Sequence, residues 1–187
     1  MINGLKRGIW KDYKDNNLIS VQKFMNDSLE YKLDKDDYIY EEAYLEAINS
    51  YVPVSKHWDT NLTFENKKLL LTSVKDCDNS TGYCPNFIFN YENLDGIPFK
   101  DFVLNDRKQI HENIEGFKEI EFDKNTGKYE SYQLRYLKHT KGVEIAGLCI
   151  WFNFNDKVVI FRGSSEKDDI NKYLLLFIEI GNSITKK

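Results

Sequence analysis

The stretch Tyr129-Glu130-Ser131-Tyr132-Gln133-Leu134-Arg135-Tyr136-Leu137-Lys138 alternates, with Tyr132, Leu134 and Tyr136 on one side and Gln133 and Arg135 on the other. That is the period of a half-buried strand. A Lys141-Gly142 turn follows, then Val143 to Phe154, then Asn155-Asp156 and Val158 to Arg162. Extended segments joined by two-residue turn signals make an antiparallel meander. Just upstream, Phe117 to Phe122 and a turn at Asp123-Lys124-Asn125-Thr126-Gly127 add one more strand.

Working outward, Asp95-Gly96-Ile97-Pro98 is turn chemistry, and Phe99, Val103, Ile110 and Ile114 then mark one face of a helix over about 99–115 that Gly116 ends. Before it, Trp58 to Phe64, Leu69 to Val74, and Phe87, Phe89 and Tyr91 read as three strands. After the meander, Asp168 or Asp169 is placed to cap a last helix with Ile170, Leu174, Phe177, Ile178 and Ile184 on its face. The first 50 residues read differently. Ser20 opens a helical pattern of Val21, Phe24, Met25 and Leu29, Leu33 to Asp37 is a charged connector, and Ile39, Ala43, Ala47 and Ile48 form a second stripe. The expectation is an α+β fold, an antiparallel β-sheet with helices packed on it, plus an N-terminal helical arm. The arm takes residues 1–50 and the α+β domain residues 51–187.

A chain of 187 residues has room for one core, and 26 Lys+Arg against 30 Asp+Glu give a net charge of −4. An acidic balance excludes a sequence-independent nucleic-acid binder, which needs a basic face, and suits a basic protein partner. No apolar run approaches the ~20 residues that cross a bilayer, and Gly8-Ile9-Trp10-Lys11-Asp12 after the N-terminus is not a signal sequence. A cytoplasmic chain is expected, with Cys77, Cys84 and Cys149 as reduced thiols because an odd count is no disulfide framework.

Signatures of chemistry are weak. Cys77, Cys84 and Cys149 with His57, His111 and His139 have no nucleophile–base spacing. Cys77 and Cys84 lack the further pair a zinc site needs. Asp76, Asp78 and Ser80 start like a calcium loop, but Thr81 and Phe87 stand where glycine and glutamate belong. Gly163-Ser164-Ser165 has no phosphate-binding lysine, and Glu41-Glu42 and Asp168-Asp169 read as solvated acids. No catalytic residue, cofactor or metal is expected. The aromatic residues, 14% of the chain, are the remaining signal. Tyr38, Tyr40, Tyr44, Trp58, Asp76, Asp78 and Tyr83 set rings beside carboxylates and are the candidate protein-binding residues.

Val52-Pro53 with Trp58 soon after, Pro85-Asn86-Phe87-Ile88-Phe89, the helix with Phe99 and Phe102 ending in Ile114-Glu115-Gly116-Phe117, the meander and the last helix together resemble the PsbP-like fold over about residues 51–184. That family includes the photosystem extrinsic subunit, a Ran-binding nuclear import factor and DcrB-like proteins, among them effector-associated secretion chaperones. The resemblance implies a binding or assembly role and no shared chemistry. The first expectation is therefore a bacterial immunity protein that neutralises a secreted toxin or effector encoded beside it. The alternatives are a dedicated effector chaperone, and an enzyme or small-ligand binder with His111, His139 or the Asp76–Cys84 loop at the mouth of a pocket. A homodimer is a further expectation.

Overall fold

The segment Val143–Phe154 is apolar on both sides, and this decides its place inside a sheet rather than at an edge. In the computed structural model, which describes residues 8–25, 28–62, 68–77, 82–126 and 129–186, it is one of seven antiparallel strands. In chain order the strands are β1 (Gly8–Lys14), β2 (Asn17–Met25), β3 (Ser28–Leu33), β4 (Tyr40–Leu45), β5 (Ser50–Ser55), β6 (Asp59–Leu62), β7 (Leu69–Val74) and β8 (Asn86–Asn93). Helix α1 (Phe99–Asn113) precedes β9 (Lys118–Thr126), β10 (Glu130–Thr140), β11 (Val143–Phe154) and β12 (Lys157–Glu166), and α2 (Ile170–Asn182) precedes β13 (Thr185–Lys186). The large sheet runs β6-β7-β8-β12-β11-β10-β9; β13-β5-β4 and β1-β2-β3 form two small sheets.

The pleat divides the core in two. Leu148, Ile150 and Phe152 of β11, Val159 and Phe161 of β12, and Phe87 and Phe89 of β8 face Leu176, Phe177 and Ile180 of α2 together with Val52 and Val54 of β5. Cys149, Trp151, Ile160, Leu134 and Tyr136 face the other way, toward Phe99 and Val103 of α1. Two glycines permit the closest approaches: a Cβ on Gly163 would lie 2.6 Å from the Phe177 ring, and one on Gly147 would lie 2.4 Å from the Tyr136 ring. The α+β class, the meander and α1 are as the sequence indicates.

The N-terminal helical arm is not formed. Asp15 and Asn16, both at positive φ, make the two-residue turn of a β1–β2 hairpin. Val21, Phe24, Met25 and Leu29 sit at spacings that fit a helix equally well, but this turn sets a strand register. The second stripe becomes β4, paired antiparallel with β5 so that Ala43 faces Val52, and a tight turn with Asn49 at φ 48° reverses the chain between them. Tertiary pairing thus overrides a weak local period. Val21, Tyr38, Ala43, Leu45 and Ile48 join the core on the α2 side.

Two smaller expectations are also corrected. Cys77 and Cys84 are joined in a disulfide with their Cα atoms 5.6 Å apart, so only Cys149 is a free thiol among the described residues. The loop between β7 and β8 returns beside its own start and brings the two thiols together. Asp169 flanks α2 but makes no side-chain cap; its carboxylate takes the Lys172 ammonium instead. The ends of two sequence-read segments, at Phe64 and Gly127, lie outside the described residues, as does Asp78.

Candidate functional site

On the α2 side, Lys11 of β1 directs its ammonium to Glu179 of α2, with Nζ 2.5 Å from Oε1. The same Nζ stands 5.1 Å from the Tyr38 ring centroid and 5.3 Å from that of Tyr40, close enough for both ring faces to attract a cation. A carboxylate and two phenol rings thus make a seat for one positive side chain. Its elements come from distant parts of the sequence: Tyr38 ends the tight turn after β3, Tyr40 begins β4, and Glu179 faces them from α2.

The hydroxyls of Tyr38 and Tyr40 are out of reach of solvent; that of Tyr38 has no hydrogen-bond partner, and that of Tyr40 lies beside the Glu179 carboxylate without a well-formed bond to it. A buried hydroxyl without a partner costs about 1–3 kcal/mol. Burial pushes both phenols above the ordinary tyrosine range, and the nearby Glu179 charge adds to the effect. Next to the seat, and sharing Tyr40 and Glu179 with it, opens a cleft of about 220 Å³ whose other walls include Glu42, Tyr51 and Pro53. Two carboxylates and no Lys or Arg line this cleft.

Immediately before Tyr38, Asp37 is buried, and its carboxylate accepts from Trp58 Nε1 at 2.8 Å and from Lys75 Nζ at 2.8 Å to each oxygen. Asp34 holds the same ammonium at 3.0 Å, and Lys75 lies 5.6 Å from the Tyr173 ring centroid. Burial raises the Asp37 carboxyl above the usual carboxylate range, with the bonds from Lys75 and Trp58 opposing it. Burial also opposes the Lys75 charge, but Asp37 and Asp34 outweigh it and hold the ammonium above the ordinary lysine range. The buried ion pair fixes the start of β4, and with it Tyr38 and Tyr40.

The candidate residues read from sequence therefore separate. Tyr38 and Tyr40 line the seat. Trp58 is a core residue packed on Phe87 and Phe177, reaching the site only through Asp37. Tyr44 stays exposed on β4, tilted against Tyr51 with ring centroids 5.0 Å apart and donating to Asn49 Oδ1. Asp76 is exposed beside the disulfide, and the Tyr83 hydroxyl shares a 2.7 Å hydrogen bond with Ser164 on the opposite face of the sheet from α2. Asp78 lies outside the described residues.

Lys11, Glu179 and Lys75 carry no sequence signal of their own, and Asp37 reads from sequence only as part of a charged, solvated connector. Lys11 and Glu179 are 168 positions apart, so no local pattern links them. The charged run Leu33 to Asp37 held the one usable signal, an aspartate directly before two alternating tyrosines. His111 packs its ring on Phe117 beside a shallow depression near Arg107 and Glu119, and His139 lies against Gly116. Among the described residues no group of three His, Cys, Asp or Glu side chains could hold one metal ion, and no helix is long and apolar enough to cross a membrane.

No family model and no curated protein matches the chain. Its backbone is similar to the solution structure of cyanobacterial PsbP (CyanoP) from Synechocystis sp. PCC 6803, with a TM-score of 0.61 at 11% identity over 79% of this chain and 92% of that one. The fold is PsbP-like. LpqN of Mycobacterium tuberculosis, a protein involved in cell envelope biogenesis, matches the PsbP-like chain with a TM-score of 0.56 at 16% identity, over 72% of this chain and 80% of that one. PA94 of Pseudomonas aeruginosa, a protein of unknown function, gives a TM-score of 0.54 at 12% identity, over 79% of this chain and 97% of that one. At these identities the likeness concerns the fold alone.

Proposed function

We propose that this PsbP-like chain is a protein-binding module for a basic protein partner, acting without chemistry of its own as an immunity protein that neutralises a secreted toxin or effector. The observation that carries the reading is the Tyr38–Tyr40–Glu179 seat: a cationic side chain already sits in it, and the adjoining cleft adds Glu42 and Tyr51 without any opposing cation. Rings supply contact area while carboxylates steer and orient, which is how an acidic surface holds a basic partner. The net charge of −4 works in the same direction at longer range. The Cys77–Cys84 bond supports a working compartment with oxidised thiols, in place of the cytosol expected from the cysteine count.

The product of the adjacent gene, mixed with this chain and followed by size-exclusion chromatography, tests the reading. A complex that weakens as salt rises, together with restored growth when both genes are expressed, is the expected result. Two separate peaks at low salt overturn it.

A further inference from the structure

From the same seat, and resting on the protein-binding reading, we infer that the pocket between Tyr38, Tyr40 and Glu179 is built for an arginine side chain of the partner and that Lys11 is a placeholder which such an arginine displaces. Lys11 fits the seat incompletely. Its ammonium bonds Glu179 Oε1, yet the Tyr38 hydroxyl remains without a partner and the Tyr40 hydroxyl without a well-formed one, although both are shielded from water. An ammonium is a compact point charge with three donors, whereas a guanidinium carries five donors in a plane that pairs with a carboxylate through two parallel bonds and stacks on aromatic faces. A guanidinium facing Glu179 keeps donors free for the phenol oxygens. It therefore satisfies groups that Lys11 leaves without well-formed bonds.

The architecture also allows the exchange. Lys11 lies on β1, an edge strand of the β1-β2-β3 sheet, and this sheet shares no backbone pairing with the other two. Withdrawing Lys11 consequently breaks no hydrogen bond of the large sheet. An incoming side chain has its own entrance through the cleft lined by Glu42, Tyr51 and Pro53, which shares Tyr40 and Glu179 with the seat. While Lys11 is in place, the affinity for an external cation is reduced by the fraction of time the seat stands open.

The test is a calorimetric titration of the full chain with the blocked tripeptide acetyl-Gly-Arg-Gly-amide, with the lysine and glutamine tripeptides as controls. Wild type is expected to bind the arginine peptide weakly and in preference to both controls. Lys11→Ala is expected to bind it about tenfold tighter or more, and Glu179→Gln added to Lys11→Ala is expected to abolish binding. Equal affinity in wild type and Lys11→Ala, or binding that survives Glu179→Gln, overturns the assignment. Should Lys11→Ala fail to fold, Lys11→Arg decides: a higher melting temperature and weaker peptide binding are expected, and a lower melting temperature overturns it. The two readings fail separately. A partner complex that ignores both Lys11 and Glu179 sinks the seat and leaves the protein-binding role, while arginine capture without any partner complex does the reverse.

Discussion

The two faces of the large sheet are fastened by the same device, an indole and a cation sharing one aspartate. On the α1 side, Trp151 Nε1 donates to Asp106 Oδ2 at 2.7 Å and Arg162 Nη2 reaches the same oxygen at 3.2 Å. On the α2 side, Trp58 Nε1 donates to Asp37 at 2.8 Å and Lys75 clasps both carboxylate oxygens. The surroundings differ. Asp106 belongs to α1 itself, so its bonds tie a covering helix to the sheet and end there. Asp37 adjoins Tyr38, so on the α2 side the device leads into a seat with two hydroxyls that lack well-formed bonds and a lysine borrowed from another sheet. Groups that are fully satisfied secure a fold, whereas buried groups left unsatisfied mark a place where a ligand can improve on the free state.

The contrast can be broken at several points. Trp58→Ala removes a ring packed on Phe87, Tyr173 and Phe177 together with the Asp37 bond, and is expected to cost about 4 kcal/mol in urea unfolding. A loss under about 1 kcal/mol would show that the indole is not a core anchor. Asp37→Ala leaves Lys75 without its main partner and is expected to cost about 3 kcal/mol. Asp106→Ala is expected to cost about 2 kcal/mol, because the Asp106 side chain is 20% exposed against 7% for Asp37. The reverse order would contradict the burial argument.

Replacing Cys77 and Cys84 together by serine opens the β7–β8 loop and is expected to lower stability by about 2 kcal/mol while leaving partner binding intact. Lost binding would instead move the docking surface to this loop. The alkaline limb of stability gives the smallest effect. Burial raises Tyr38, Tyr40 and Tyr136 in the folded chain, so their contribution is fully present below the unfolded tyrosine value of about 10 and is lost as pH rises past it. At pH 10 the decline is expected to be about 1 kcal/mol in all. Tyr38→Phe with Tyr40→Phe should flatten this limb about twice as much as Tyr136→Phe alone, measured by thermal melts across pH; no flattening from the pair would show that burial does not raise these two phenols.

Where the sequence carried the fold, the reason was geometric. The Tyr132–Tyr136 alternation, the Lys141-Gly142 and Asn155-Asp156 turns and the Phe99–Ile114 face are local, and each has one structural solution. At the N-terminus, Val21, Phe24 and Met25 suit two periods, and the Asp15-Asn16 turn that separates them is a weaker signal than a glycine-bearing one. The site was legible only in Tyr38 and Tyr40. Lys11 and Glu179 meet them through the packing of β1 and α2, and Lys75, just past β7, meets the adjoining Asp37, all of which is a property of the tertiary fold. Trp58 reads from sequence as a ring beside carboxylates, yet its indole N–H reaches a buried carboxylate and its body fills the core, as amphipathic aromatics commonly do.

The most direct measurement compares the two sides by binding. The basic partner is titrated calorimetrically into wild type, into Glu42→Gln with Glu179→Gln on the α2 side, and into Asp101→Asn with Glu112→Gln on α1, each pair removing two negative charges. Loss of at least about tenfold in affinity for the α2-side pair, with the α1 pair close to wild type, is the expected result. Equal losses from both pairs would reduce the interaction to net charge and contradict an acidic and aromatic seat beside α2.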